Sequence, residues 1–214
     1  HYRMKQLRDL LQQLDVDGVW MDYVHWHAQF ETPEPILPET CFCNHCLTSF
    51  QAASGIALTD GDTDEKAAWI LRSDEPEWRD WRATIIADWA RDMKAIIRQV
   101  KPGTLLGLYH CPWQDEEYNG ARRRILGLDY HLLRPHIDVF SPMVYHGHMH
   151  RPPEWLERAS QRGEDVYDLC RSRRCAKDGG DESHLSSLGS RDKRMISLPY
   201  PAAIEPFCSI FSPV

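Results

Sequence analysis

The chain has 214 residues, room for one domain of ordinary size, and an apolar content of 42% with eight Trp is enough to build a core. A net charge of −7 argues against nucleic acid as the main partner, because phosphate binding needs a basic face. No apolar run reaches the roughly 20 residues of a membrane span, and His1-Tyr2-Arg3-Met4-Lys5 already belongs to an amphipathic pattern rather than to a secretory leader.

In chain order, Met4, Leu7, Leu10, Leu11 and Leu14 recur at helical spacing, which predicts a helix over 3–14. Asp15-Val16-Asp17-Gly18 breaks it. Residues 18–26 are rich in β-branched and aromatic types and predict a strand. Side chains alternate along a strand, so Trp20 and Asp22 share one face while Met21 and Tyr23 share the other. Three prolines (33, 35 and 38) and the glutamates 31, 34 and 39 make 27–40 a long loop. A short helix over 44–53 carries Leu47 and Phe50. Residues 54–75 read as a polar connector with a helical turn around Ala67-Ala68-Trp69.

Pro76 opens the clearest helix, 76–100, and Lys101-Pro102-Gly103 ends it. Its apolar stripe is Trp78, Trp81, Ile85, Trp89, Met93, Ile96 and Val100, read as core packing. A strand over 104–110 leads to Cys111, Pro112 and Trp113. Then come a helix over about 121–135, whose Arg122-Arg123-Arg124 reads as a solvated start, a third strand over 137–146, and a helix over roughly 153–162. This alternation implies an α/β fold with a parallel sheet. No Gly-rich turn follows a strand, which disfavours dinucleotide binding. The expected architecture is a partial (β/α)8 TIM barrel over 1–163, truncated at the N-terminus. The chain starts on His rather than Met and reads as a fragment or a processed product. Residues 164–214 show no period and are expected to form an irregular tail, non-native or disordered.

A carboxylate at a strand's C-terminal end is where a parallel barrel keeps its chemistry. Asp22 holds that position and is the candidate catalytic residue; the competing reading is a structural Asp bound to loop amides. Cleaving a glycosidic bond uses a carboxyl pair, because an oxocarbenium-like transition state needs negative charge and a proton donor together. Tyr23, His25 and Trp26 at the same exit, His110 and Trp113 at the second, and Tyr145 and His146 at the third form the expected substrate-binding set. Aromatic platforms with polar edges suit a sugar ring. For each histidine, a satisfied loop-start role competes. Glu31, Glu34 and Glu39 offer a source for the acid, with solvated charge the leading reading, and His148 and His150 read as loop surface. Asp115, Glu116 and Glu117 follow the second strand, where one of them as proton donor is the weaker alternative. Asp17, at the entry end of its strand, reads as structural.

The chain has seven cysteines: 41, 43, 46, 111, 170, 175 and 208. An odd count with three crowded together is unlike a secreted disulfide framework and leans toward a reducing, cytoplasmic setting. Cys41, Cys43 and Cys46 form C-x-C-x-x-C, a metal clip for a structural zinc. One ligand is missing; His45, Cys111 or a residue outside the chain are the options. Three unligated thiols are the competing reading.

Asp17-Gly18-Val19-Trp20-Met21-Asp22-Tyr23-Val24 resembles the D-G-[IV]-x-x-D-[YD] strand of glycoside-hydrolase-like TIM-barrel proteins, the family-10-like hypothetical glycosyl hydrolases. Ser141-Pro142-Met143-Val144-Tyr145-His146 resembles a later strand of similar proteins. Cys41-Phe42-Cys43-Asn44-His45-Cys46-Leu47-Thr48-Ser49-Phe50 resembles a segment of the family 42 β-galactosidases, where the three cysteines and one from an earlier loop bind a structural zinc. The resemblance covers about residues 10–160 and implies Cys41, Cys43 and Cys46 as zinc ligands. It does not carry over the family 42 acid, because Met21-Asp22 stands where that family has Asn-Glu. The implied function is glycoside hydrolysis, with a carbohydrate substrate and no nucleic acid or membrane partner. The alternatives are a non-catalytic carbohydrate-binding barrel, or a metal-dependent hydrolase using His25, His27, His110 and His146.

Overall fold

The computed structural model describes residues 2–73, 75–155 and 194–198. Helix α1 (Tyr2–Gln13) leads into strand β1 (Gly18–Met21). Then come α2 (Asn44–Ser54), α3 (Thr63–Ser73), α4 (Pro76–Val100), β2 (Leu105–His110), α5 (Ala121–Arg124), α6 (Tyr130–Leu133), β3 (Val139–Pro142) and β4 (Met195–Leu198). The four strands form one parallel sheet in the order β3-β2-β1-β4. The α/β class and the alternation of helices with parallel strands are therefore present. Among the described residues the sheet is open at β3 and β4 and is not a closed barrel. No helix among them is long and apolar enough to cross a membrane.

Register assigns the two faces. Val19, Met21, Leu106, Leu108 and Phe140 lie on one face and are all but fully buried. Helix α4 packs against this side, with α1 and α6 beside it. Gly18, Trp20, Gly107, Tyr109, Ser141 and Ser197 alternate onto the opposite face. There the Trp20 indole lies flat across two glycines: a Cβ at Gly107 would sit 2.2 Å from the ring and one at Gly18 2.4 Å from it. Trp20 Nε1 donates to Ser141 Oγ at 2.9 Å, crossing β2 to tie β1 to β3.

Several elements differ from the sequence expectation. The connector 54–75 contains an eleven-residue helix, α3. Asp62 Oδ1 accepts from the Asp64 and Glu65 amides, and Glu65 Oε2 accepts from the Asp62 amide. That reciprocal capping box supplies the start the polar composition obscured. The single helix expected over 121–135 is two short ones. Gly127 parts them at φ +71°, where a Cβ would also strike the Trp26 ring at 2.6 Å. The α4 stripe is rotated from its expected line. Its buried residues include Trp78, Arg82, Ile86, Ala90, Met93 and Ile97, while Trp81, Ile85, Trp89, Ile96 and Val100 flank them. A charged residue, Arg82, thus stands in the core line. Strands expected over 18–26 and 137–146 stop at Met21 and Pro142.

Within 164–214, expected to be irregular, Met195–Leu198 is a strand paired with β1. Asp17 fastens it: the Asp17 amide donates to Arg194 O, and Asp17 Oδ2 accepts from the Arg194 amide. Asp17 is structural, as its entry-end position implied. Most of the 153–162 helix, and the rest of 164–214, lie outside the described residues.

Candidate active site and metal centre

All four strands point their C-terminal ends the same way, and the order β3-β2-β1-β4 reverses direction at β1. The crevice beyond the strand ends at such a switch point is where open parallel sheets bind ligands. Asp22 stands there, one residue past β1, half-buried on the face that α4 leaves open. Ser197 of the neighbouring strand donates to its Oδ2 at 3.4 Å. Tyr23 follows with φ +52°, a left-handed conformation that a bulky residue rarely adopts. The turn throws its ring outward, 48% exposed.

Tyr145, 50% exposed, shares this mouth. Burial together with the charges of Glu31 and Asp22 pushes its hydroxyl above the ordinary tyrosine range. Tyr23 is raised by Glu31 first, then by burial and by Asp22. Both tyrosines therefore sense the same two carboxylates and stay protonated donors well above neutral pH. Glu31 follows Phe30, whose segment is seated by a ladder of rings: Tyr23 packs on His25 at 6.2 Å, His25 on Phe30 at 5.3 Å and Phe30 on Trp113 at 5.9 Å. The loop is folded back by a bridge between Gln29 and Ile36. The sequence offers Glu31, Glu34 and Glu39 alike as acid or as solvated charge; in the structure the charge of Glu31 acts on the same two tyrosines as that of Asp22.

The remaining candidates divide. His110 ends β2 on the covered face, 6% exposed. Its Nδ1 lies 2.9 Å from Cys111 O and 2.6 Å from the Tyr130 hydroxyl, and its ring packs on Phe140. Burial pulls its pKa down to about 4, so it is a neutral core histidine turned away from Asp22. Trp26 is also core: its Nε1 donates to Arg82 O, and the Arg82 guanidinium lies over its ring. Trp113 is buried against Phe30 and Tyr118. His25 is buried beneath Tyr23, its Nδ1 2.8 Å from Trp26 O. His146 folds onto its own loop, Nδ1 3.3 Å from Arg151 O. Of the expected substrate set, Tyr23 and Tyr145 face the mouth with Asp22. Glu117 Oε2 caps the Gln114 amide and Asp115 pairs with Arg122, which gives these acids structural partners.

The second feature is the cysteine group. The Sγ atoms of Cys41, Cys43 and Cys46 lie within 4.8 Å of one another, close enough to hold a metal ion. It is the one such group of His, Cys, Asp and Glu among the described residues; His25, His27, His110 and His146 form no such cluster there. Cys43 caps α2 without a side-chain hydrogen bond, and Cys46 follows in the first turn. The Cys43 amide donates to Cys41 Sγ at 3.4 Å. Burial, then the neighbouring Cys43, pushes the Cys46 thiol up to about 12; a bound cation would reverse that. Cys41 is disulfide-bonded here, whereas Cys43 and Cys46 keep their thiols, so ligation by all three requires its reduced form. His45 is exposed and bonds Ser49, and Cys111 lies outside the group, so neither completes it. Phe42 stacks on Trp78 at 5.2 Å, which seats the segment on α4.

No family model matches the chain, and no curated protein or solved structure matches it. The functional reading therefore rests on the geometry of these two features.

Proposed function

We propose that this chain is an arc of a (β/α)8-type barrel that acts on carbohydrate and hydrolyses a glycosidic bond at the β1 mouth. The observation that carries the reading is the company of Asp22: a second carboxylate, Glu31, and two outward-facing tyrosines at the C-terminal end of a parallel sheet. Tyrosine rings lie against the apolar C–H face of a sugar while their hydroxyls donate to its ring substituents. Asp22, held by Ser197 and part of the rigid strand end, stabilises positive charge developing at the anomeric carbon or attacks it. Glu31, on the adjoining loop, is the acid that protonates the departing oxygen. Cys41, Cys43 and Cys46 would hold a structural zinc. Its chemistry there is cross-linking, fastening the long β1–α2 loop and with it the approach of Glu31.

The test is reducing-sugar release across a panel of oligosaccharides by the 214-residue chain under reductant, with binding followed in parallel by calorimetry. Asp22→Asn is expected to lower turnover by at least about 10²-fold, the scale of general acid–base catalysis, while the glycan still binds. Paired Tyr23→Ala and Tyr145→Ala changes should weaken binding by about tenfold, consistent with roughly 0.5–1.5 kcal/mol per lost ring contact. Unchanged turnover in Asp22→Asn removes Asp22 from the chemistry. Binding with no turnover on any glycan leaves a carbohydrate-binding barrel, and no binding at all sinks the reading.

A further inference from the structure

Beside the cysteine group lies a guanidinium that its surroundings only partly neutralise. The Arg82 side chain has no solvent exposure. Its Nη1 donates to Arg124 O at 3.0 Å and its Nη2 to Ile125 O at 2.7 Å, while its Nε is buried with no hydrogen-bond partner among the described residues. Among the described residues, one carboxylate approaches it: Glu39 Oε2, at 3.6 Å. Glu39 is shared, because its Oε1 also accepts from Arg124. Two cations therefore divide one anion. Arg124 is a quarter exposed and partly solvated, which leaves the deficit on Arg82. An uncompensated charge in a dry core is costly unless another group answers it.

The cysteine group stands where that answer would come from. Cys46 and Arg82 lie within each other's electrostatic reach. Glu39 is two residues before Cys41, so the Arg82–Glu39 pair grips the segment at its entry. One helical turn earlier on α4, Trp78 stacks on Phe42, which is flanked by Cys41 and Cys43, and Trp78 also meets Phe50 of α2 edge-on at 5.1 Å. Three thiolates around a divalent cation keep one net negative charge, the sign and size that Arg82 lacks.

We propose that Arg82 is the buried counter-cation of the Cys41–Cys43–Cys46 metal centre, a positioning residue that matches the centre's charge. The proposal rests on the reading of these cysteines as metal ligands. It assigns a purpose to a charged residue inside the apolar stripe of α4.

The experiment uses the reduced 214-residue chain, loaded with Co2+ to record the thiolate-to-metal absorption and then titrated with Zn2+ against a chromophoric chelator. Arg82→Met should weaken Zn2+ binding by at least about tenfold, the scale expected when a group supporting a metal ligand is lost. Arg82→Lys, which keeps the charge, should stay within about threefold of the wild type. Glu39→Gln takes away the competing anion, leaves the thiolates as the answering charge, and should tighten Zn2+ binding by about threefold or more. A role in packing alone predicts otherwise: Arg82→Lys would fail as badly as Arg82→Met, and Glu39→Gln would weaken binding or leave it unchanged. Either result overturns the proposal. Should Arg82→Met lose its helical circular dichroism without metal, Arg82→Lys and Glu39→Gln decide. A wild-type chain that takes up neither metal overturns the underlying metal reading. A wild-type chain that binds zinc, with Glu39→Gln and Arg82→Lys off prediction, overturns the role of Arg82 alone.

Discussion

His110 is held neutral between Cys111 O, the Tyr130 hydroxyl and the Phe140 ring, and burial pulls its pKa from 6.5 to about 4. The unfolded chain binds a proton there between these values and the folded chain does not. Stability is therefore full above pH 6.5 and falls as pH drops toward 4. The contribution is on the order of 3–4 kcal/mol, at about 1.4 kcal/mol for each tenfold change in proton affinity. His25, lowered by its own burial, acts in the same direction. Urea unfolding at pH 7.5, 6 and 5 should show this loss, and His110→Gln should flatten the slope; an equal slope in the variant would remove His110 as its source. The same residue shows what a sequence reveals of a site. Asp22 and Tyr145 were legible as unburied residues beyond strand ends, because a carboxylate and a tyrosine there have few core uses. His110, Trp26 and Trp113 stand at the same exits, but they face the helix layer or the loop core. Which side of β2 joins Asp22 depends on the pairing of Trp20 with Gly107, and register is a long-range property that local spacing does not encode. Glu31 was not told apart from Glu34 and Glu39 for the converse reason, since a loop glutamate reaches a site only through packing such as Phe30 on His25.

Among the elements, α3 is the clearest case of a start signal outweighing composition. Asp62-Thr63-Asp64-Glu65 is a capping box in plain sequence, yet the polar stretch around it reads as connector. Asp62→Ala should cost about 1 kcal/mol. In a domain of this size that is a fall in Tm of roughly 2–4 °C, measurable by differential scanning calorimetry. No change would mean that α3 is held by its buried Ile70 and its contact with α2 rather than by its cap. Helix α4 was legible to the residue at both ends, because Pro76 and the Lys101-Pro102-Gly103 break are local signals. Its buried face was legible only approximately, because a periodicity argument discards arginine and so shifts the stripe by one position. Strand β4 was not legible at all. Met195-Ile196-Ser197-Leu198 is too short to show alternation, and its pairing depends on Asp17, remote in sequence. The split at Gly127 likewise follows from the approach of Trp26, a tertiary contact.

At the scale of the molecule, the described residues cover the sheet on one side and leave it half-open on the other, whereas all-parallel sheets bury both. In a barrel the second face is the interior, and Trp20, Tyr109 and Ser141 are then inward residues. The chain's defining connector, the stretch from Asp22 to Cys43, has little regular structure to hold it beyond the Gln29–Ile36 bridge. Its anchors are the Arg82–Glu39–Arg124 pairing, the Phe42–Trp78 stack and the cysteine group. A metal bound at that group stabilises the folded chain in proportion to its affinity, since the unfolded chain offers no formed site. Elemental analysis of reduced protein should give one zinc per chain. Chelation should then lower Tm on the order of 10 °C, equivalent to a few kcal/mol at this chain length. Cys43→Ser with Cys46→Ser should bring no zinc and should unfold at one temperature with or without chelator. If the wild-type chain carries zinc but its Tm ignores the chelator, the ion does not hold the loop, and the approach of Glu31 to the mouth must depend on the Phe30–His25–Tyr23 packing instead.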